Sequence, residues 1–317
     1  MSRVVTVAAA QVGPVERDTP RSDVVGRLVA MLAEAAGRGA DVVVYPELAL
    51  TPFFPRWWFA DGDPELAGFY DDEVPGPSTK VLFDEARRSG VAVCLGYAER
   101  DGPHHYNTSV LVAPDGEVVA KYRKVHVPGH EQHEPWRPFQ HLERRYFEPG
   151  DGFRAHRALG GVVGLAICND RRWPETYRVL ALQGAEVILI GYNTPLHYPP
   201  DPGQDRLASF HNNLVMAAGA YQNGAWVVGV AKGGLEGGVH SLAETQVIAP
   251  SGEVVAKAVT EGDEVVVAAC DLDLCDRYRR TLFDFDRYRM VEHYSLLTSQ
   301  RGVVPPEPQP GVGPTRP

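Results

Sequence analysis

The sequence predicts an α/β fold: a four-layer α-β-β-α sandwich made of two pseudo-symmetric halves. Three observations carry that reading. Short β-branched runs alternate with stretches of helical period. Ala113-Pro-Asp-Gly-Glu-Val-Val-Ala-Lys121 recurs almost unchanged as Ala249-Pro-Ser-Gly-Glu-Val-Val-Ala-Lys257, 136 residues on. Gly39-Ala-Asp-Val-Val-Val-Tyr45 is echoed by Gly184-Ala-Glu-Val-Ile-Leu-Ile190 at a similar shift. Each half then runs strand, helix, strand, helix, strand, hairpin. A sheet of near-continuous apolar strands needs cover on both faces. Helices cover one face, and packing the two sheets together covers the other.

The elements follow in order. Residues 4–12 read as a first buried strand rather than a short secretory leader. Residues 22–38 place Val24, Val25, Leu28, Leu32 and Ala35 at helical spacing, with Ser22 as N-cap and Gly37 or Gly39 as stop. Residues 40–45 are a buried strand that ends at Pro46-Glu47. Residues 52–77 are rich in aromatics and proline, and read as a long loop at the mouth of a site or as a cap on the core. A helix over 78–89 and a strand over 91–98 come next. Strands 107–113 and 117–122 turn at Pro114-Asp115-Gly116. Residues 123–153 are long, polar and rich in histidine, a length that in a compact domain usually serves function. The second half repeats the order: a strand to Cys168, a helix from about 174 to 183, a strand over 185–192 and a helix over 205–223. A strand over 225–231, a hairpin over 244–257 and a last strand over 264–271 complete it. Residues 1–301 are expected to form a single domain. Residues 302–317, rich in proline, are expected to be a disordered tail.

Composition narrows the function. The chain has 317 residues, 44% hydrophobic and 23% charged, with 41 acidic against 31 basic residues and a net charge of −10. That balance does not favour nucleic acid, and no basic run suits a phosphate backbone or an anionic membrane. No segment has the roughly 18 apolar residues that a spanning helix needs. Four scattered cysteines (Cys94, Cys168, Cys270 and Cys275) do not make a disulfide framework, so a cytoplasmic location is expected.

The chemistry centres on Gly161-Val-Val-Gly-Leu-Ala-Ile-Cys168-Asn169-Asp170-Arg171-Arg172-Trp173-Pro174-Glu175. A strand stops at Cys168, and Pro174 with Glu175 suits a helix start. A thiol at such an elbow is placed to act as a nucleophile, or it fills a small core site. Glu47, at the end of a buried strand, suits a general base with a raised pKa, or is an ordinary loop glutamate. Lys124 suits stabilisation of a thiolate and an oxyanion, or sits in a solvated basic turn. The repeat places Glu47 and Cys168 at the carboxyl ends of strands, where α/β sheets put ligands, with Lys124 just past a hairpin. Arg171 and Arg172 suit a carboxylate; one is expected to bind it and the other to form a salt bridge with Asp or Glu. His126, His130 and His141 show no metalloprotease spacing, so no metal is expected.

Tyr45-Pro-Glu47-Leu, Lys121-Tyr-Arg-Lys124-Val-His and Ile167-Cys168-Asn-Asp170 resemble the three signatures of the nitrilase superfamily of carbon–nitrogen hydrolases. The likeness runs over about residues 4–300. Longer stretches resemble the N-carbamoyl-D-amino acid amidohydrolases within it: Pro46-Glu-Leu-Ala-Leu-Thr51 with Phe53-Phe-Pro-Arg-Trp57, the run from Arg137 to Gly150, Cys168 to Thr176, and Gly191-Tyr-Asn-Thr-Pro195. The resemblance implies the α-β-β-α sandwich of that superfamily. It implies Glu47 as base, Lys124 as oxyanion partner, Cys168 as nucleophile and Glu143 as an additional active-site carboxylate. It implies substrate contacts from His141, Asn169, Asn193 and Thr194 besides the arginines. It also implies no cofactor, a small carbamoyl amino acid as substrate, and a homodimer or homotetramer. One departure is Ala243-Glu244-Thr245, where the family has a Gly-His-Ser-like segment before the second hairpin.

The expected reaction is cysteine-dependent hydrolysis of N-carbamoyl-D-amino acids to the D-amino acid, ammonia and carbon dioxide. The alternative inside the superfamily is another amidase or ureidopropionase-like hydrolase of a carboxylate-bearing amide. A metal-dependent hydrolase using the histidines and a non-catalytic binding protein are the readings from other classes. D selectivity rests on resemblance alone. The aromatics at 53–59 point to a roomy apolar pocket.

Overall fold

The computed structural model describes residues 2–307. In chain order its strands are β1 (Val4–Gln11), β2 (Val42–Val44), β3 (Ala92–Asp101), β4 (His104–Val112), β5 (Val118–Arg123), β6 (Ala155–Ala158) and β7 (Gly161–Ile167). They continue with β8 (Val187–Tyr192), β9 (Trp226–Ala231), β10 (Gly233–Glu236), β11 (Val239–Leu242), β12 (Gln246–Ile248), β13 (Val254–Lys257) and β14 (Glu264–Asp271). The α-helices are α1 (Arg21–Gly37), α2 (Pro64–Ala67), α3 (Lys80–Ser89), α4 (Glu143–Tyr146), α5 (Pro174–Leu182), α6 (Ala208–Asn223), α7 (Asp273–Arg279), α8 (Phe285–Tyr288) and α9 (Leu296–Ser299).

Two six-stranded sheets form, in the orders β14-β1-β2-β3-β4-β5 and β13-β12-β9-β8-β7-β6. In each, three central strands run parallel (β1, β2, β3 and β7, β8, β9), and the flanking strands pair antiparallel. The internal repeat is a structural one. Both hairpins carry a register shift at the matching place, with Val112 opposite Val118 and Ile248 opposite Val254. The pseudo-symmetry also supplies β6, short and not foreseen, as the second-half counterpart of β14.

Period-two alternation sorts side chains between layers. Val7 and Ala9 of β1, with Val42 and Val44 of β2, face the second sheet in one core cluster with Val163, Leu165, Ile188 and Val228. Ala8, Ala10 and Val43 face the other way, under Leu28 and Leu32 of α1 and Leu82 of α3. Leu180 of α5 with Met216 and Ala220 of α6 covers the second sheet. The four layers are thus α1 and α3, sheet, sheet, α5 and α6.

Several local expectations are corrected. Helix α1 begins at Arg21 after Pro20, and Ser22 is inside it, not its cap; no side chain caps that end. The long helix expected over 205–223 is a 3-10 turn, Pro202–Leu207, followed by α6. The hairpin of β10 and β11, and helix α7, were not foreseen. The aromatic loop lines no part of the cavity described below: Phe53, Phe54, Phe59, Phe69 and Tyr70 pack with Leu142, Phe147 and Tyr146 of α4. The disordered tail was expected over 302–317, of which 308–317 lie outside the described residues; 302–307 are exposed and form no helix or strand. No helix among the described residues is long and apolar enough to cross a membrane.

Candidate active site

Four strand ends converge. Glu47 follows β2, Lys124 follows β5, Cys168 follows β7, and Asn193 with Thr194 follows β8. Glycine makes the convergence possible. A Cβ on Gly96 of β3 would come within 2.4 Å of the Pro46 carbonyl oxygen, and one on Gly191 of β8 within 2.6 Å of the Glu47 nitrogen. The Pro46-Glu47 peptide is therefore seated between the two sheets on backbone alone.

Glu47, Lys124 and Glu143 are each 0% exposed. Lys124 Nζ donates to Glu47 Oε1 at 2.7 Å and, more closely still, to Glu143 Oε2. Glu47 Oε1 also accepts from Asn107 Nδ2 at 2.7 Å, and its Oε2 accepts from the Asn193 backbone N–H at 2.8 Å. Glu143, on α4, meets His141 Nε2 through its Oε1 at 2.9 Å.

The two carboxylates share one lysine but titrate in opposite directions. Burial and the neighbouring Glu143 charge raise Glu47 above the usual carboxylate range, against the pull of Lys124. Burial acts the same way on Glu143, but Lys124 and His141 together outweigh it and hold Glu143 down at about 2. The surroundings differ in one contact: Glu143 has the His141 ring beside Lys124, where Glu47 has the Asn107 amide. Burial works against the charge on Lys124, yet Glu143, Glu47 and Cys168 outweigh it and raise its pKa.

Cys168 opens a 3-10 turn, Cys168–Arg172, with φ +46°, a left-handed conformation that costs a non-glycine residue about 1 kcal/mol. Buried Asp170 fixes the elbow. It accepts from the Ile167 N–H at 2.9 Å, the His126 N–H at 3.0 Å and the Tyr122 hydroxyl at 2.7 Å. The thiol donates to the Asn193 carbonyl at 3.6 Å, and its sulfur lies 3.8 Å from both Thr194 Oγ1 and Arg171 Nη1. Burial and the Glu47 charge raise the thiol pKa, opposed by Lys124 and Arg171. The net direction favours the protonated thiol.

A cavity of about 500 Å³ opens beside this cluster; its wall includes His141, Arg171, Arg172, Thr194, Tyr198 and His211, with Cys168 just behind Thr194 and Arg171. The two arginines differ. Arg171, 1% exposed, donates to the Cys168 carbonyl at 2.7 Å, Asn212 Oδ1 at 2.9 Å and Thr194 Oγ1 at 2.9 Å, and stacks on Tyr192 at 4.3 Å. Its partners are neutral oxygens, which corrects the expected salt bridge to Asp or Glu. Arg172 is reached by solvent through the cavity and has no hydrogen-bond or ion-pair partner among the described residues.

The remaining sequence candidates fall in three places. Asn193 contributes its backbone to Glu47 and Cys168, while its side-chain Nδ2 is buried with no partner among the described residues. Asn169 donates its side chain to the His126 carbonyl at 3.0 Å and is not in the cavity wall. His126 pairs with Asp170 at 2.8 Å, and His130 meets Gln140 at 3.2 Å. Among the described residues no three His, Cys, Asp or Glu side chains are grouped to hold a metal ion.

Sequence reasoning passed over Asn107, Asp170 and Asn212. Asp170 had a signal in its place two residues after the cysteine; Asn107 and Asn212 had none, since only the tertiary fold brings them to the site.

Residues 6–280 match the carbon–nitrogen hydrolase family, and the chain belongs to it. A nitrilase of Pyrococcus abyssi is 32% identical over 83% of this chain and 90% of its own length. An N-carbamoylputrescine amidase of Solanum lycopersicum is 29% identical over 96% and 98%. An omega-amidase of Xenopus laevis is 28% identical over 80% and 84%. In fold, a carbon–nitrogen hydrolase from Helicobacter pylori G27 superposes with a TM-score of 0.81 at 22% identity, over 94% of this chain and 99% of its own. An amidase from Nesterenkonia sp. AN1, in a structure with an acetamide moiety added covalently at its active site cysteine, superposes with 0.69 at 21%, over 90% and 97%. These relatives carry the superfamily and not the narrower likeness to the N-carbamoyl-D-amino acid amidohydrolases, which stays with the sequence motifs.

Proposed function

We propose that this protein hydrolyses a small amide or ureide bearing a carboxylate, with Cys168 as nucleophile, Glu47 as general base, and Lys124 and Glu143 completing the site. The observation that carries the carboxylate is Arg172, a guanidinium in the cavity wall with no partner among the described residues. A planar cation of this kind binds a carboxylate bidentately. Similarity to an omega-amidase and an N-carbamoylputrescine amidase supports hydrolysis of small amides and ureides in general over N-carbamoyl-D-amino acids alone, and the carboxylate rests on Arg172. N-carbamoyl-D-amino acids are the member of the class that the motifs around Cys168 favour. N-carbamoylputrescine carries an amine, which Arg172 would repel.

The steps follow from the chemistry of these groups. Glu47 takes the thiol proton as Cys168 Sγ bonds to the carbonyl carbon. Lys124 Nζ and a backbone N–H at the Cys168 elbow hold the oxyanion. The C–N bond breaks, and Glu47 returns the proton to the leaving nitrogen, released as ammonia. Glu47 then takes a proton from water, whose oxygen attacks the thioester and restores the thiol. From a carbamoyl amino acid the product is a carbamate, which loses carbon dioxide.

The experiment is ammonia release from N-carbamoyl-D- and N-carbamoyl-L-amino acids, an ω-amide of a dicarboxylic acid, a neutral amide of equal length, and N-carbamoylputrescine. The carboxylate-bearing compounds are expected to lead, and Arg172→Ala is expected to cost them roughly 10–100-fold in kcat/KM, the range of one charge-assisted contact. A neutral or cationic amide turned over as well as the carboxylates, before and after that substitution, would overturn the reading.

A further inference from the structure

Buried Arg171 lies 3.8 Å from the Cys168 sulfur, its other hydrogen bonds go to neutral oxygens, and among the described residues no carboxylate pairs with it directly. One step further out there is a carboxylate. Asn212, 3% exposed, accepts from Arg171 Nε through Oδ1 at 2.9 Å, and its Nδ2 donates to the Tyr192 hydroxyl at 3.2 Å and to Glu244 Oε2 at 3.4 Å. The amide is aligned as a relay, oxygen to the cation and nitrogen to the anion. The link closes a second way. The Tyr192 ring lies 4.3 Å under the Arg171 guanidinium, and its hydroxyl donates to the Glu244 carbonyl at 2.7 Å. Arg171, Asn212, Glu244 and Tyr192 thus form a closed ring against the thiol.

Glu244 is held for this position. Its Oε1 accepts from Ser209 Oγ at 2.6 Å and Lys257 Nζ at 3.2 Å. Its backbone, with Ala243 before it, is left-handed, at φ +69° and +54°. Two consecutive non-glycine residues in that region are maintained only where the surroundings demand it, and such places cluster at functional sites. This is the segment in which the sequence departs from the Gly-His-Ser pattern.

We propose that Glu244 is a positioning residue: through Asn212 it holds the Arg171 guanidinium against Cys168, so that the nucleophile faces two cations, Lys124 and Arg171, against the carboxylates of Glu47 and Glu143. This rests on Cys168 being the nucleophile, but its test needs no substrate. Glu244 is not a catalytic residue, since no reacting atom touches it.

The test is the rate of Cys168 alkylation by iodoacetamide against pH, in the full chain and in Glu244→Gln, with melting followed in parallel. If Glu244 works by holding Arg171, its loss raises the thiol pKa, and alkylation at neutral pH slows about tenfold for each unit of rise. A carboxylate acting only as a nearby negative charge gives the opposite sign, since its removal favours the thiolate. Asn212→Leu, which cuts the relay and leaves Glu244 its other partners, is expected to slow alkylation in the same way. Glu244→Gln is expected to add nothing in an Arg171→Met background. Unchanged or faster alkylation in Glu244→Gln, or equal slowing without Arg171, overturns the proposal. Loss of the fold in both single variants would make the ring a scaffold and overturn it too. A thiol that responds as expected in a protein inert towards every carboxylate-bearing amide would defeat the proposed substrate class and leave this inference standing.

Discussion

Lys124 Nζ lies 2.7 Å from Glu47 Oε1, and neither side chain is exposed. The same ammonium also holds Glu143. Removing it, as in Lys124→Met, leaves two buried carboxylates with Asn107 between them and no ammonium to balance them. Breaking a buried pair in this way costs about 3–5 kcal/mol. We expect a matching fall in the urea midpoint at neutral pH and a partial recovery in mild acid, as one carboxylate takes a proton. Turnover should fall by roughly 10²–10³-fold, the range for one oxyanion donor. A variant of normal stability at neutral pH would show that the carboxylates do not depend on Lys124.

The pH dependence has two parts of opposite sign. Hydrolysis needs Glu47 ionised, and burial with the Glu143 charge raises its pKa above 4.5. So kcat/KM should climb with pH along an acid limb above 4.5; a limb at or below that value would exclude Glu47 as the base. Stability follows linkage. Glu143 is lowered from 4.5 to about 2, so its contribution is complete above 4.5 and is lost as pH falls towards about 2. Glu47, raised, works the other way: the folded state binds its proton first as pH falls, and stability is gained there. Comparing denaturation of the wild type and Glu143→Gln over this range separates the two. The variant should lack the low-pH loss.

Thiol labelling should be selective. Burial pushes Cys94, Cys270 and Cys275 each up to about 12, and all three are 2% exposed or less. Cys168 is also raised but borders Thr194 and Arg171 of the cavity wall. One equivalent of iodoacetamide is expected on Cys168 of the folded protein, with activity falling in step. Peptide mapping that finds another cysteine labelled first, or labelled Cys168 with full activity, would defeat the cysteine mechanism.

The features legible in the sequence are those written in contiguous residues. Val-Val-Val of β2 and the twin hairpins at Ala113–Lys121 and Ala249–Lys257 declare themselves by β-branching, turn chemistry and repetition, and they fix the strand ends where the candidate residues lie. The hairpin of β10 and β11 stayed hidden because Gly233, Gly234, Gly237 and Gly238 give it no strand signal. It forms because neighbouring backbone pairs with it, as when the Leu242 N–H meets the Thr194 carbonyl at 2.8 Å. Arg171 misled for a related reason. Two adjacent arginines look alike in sequence; both reach the cavity wall, and only the fold gives Arg171 its bonds to Cys168, Asn212 and Thr194 while Arg172 has no side-chain partner among the described residues. The aromatics at 53–59 misled because large rings suit a pocket wall and a core cap equally.

Gly191→Ala tests whether the backbone seat of Glu47 matters to turnover. The added Cβ would lie 2.6 Å from the Glu47 nitrogen and 2.8 Å from the Pro46 carbonyl carbon, so rigid backbone has to move. Overpacking of this kind costs about 1–3 kcal/mol. Asn193, just past this strand, donates its backbone N–H to Glu47 Oε2, so a shift alters both the seat and the orientation of the carboxylate. A misplacement near 1 Å is worth roughly 10²-fold in rate. We expect kcat to fall by that order with little change in KM, since no group in the cavity wall is removed. Gly26→Ala on α1 is the control. Nothing lies within 4 Å of its Cβ, and alanine in a helix interior should add about 0.5–1 kcal/mol without touching turnover. Equal kinetics for the two variants would show that the close approach at Gly191 is a packing detail and not a condition for placing Glu47.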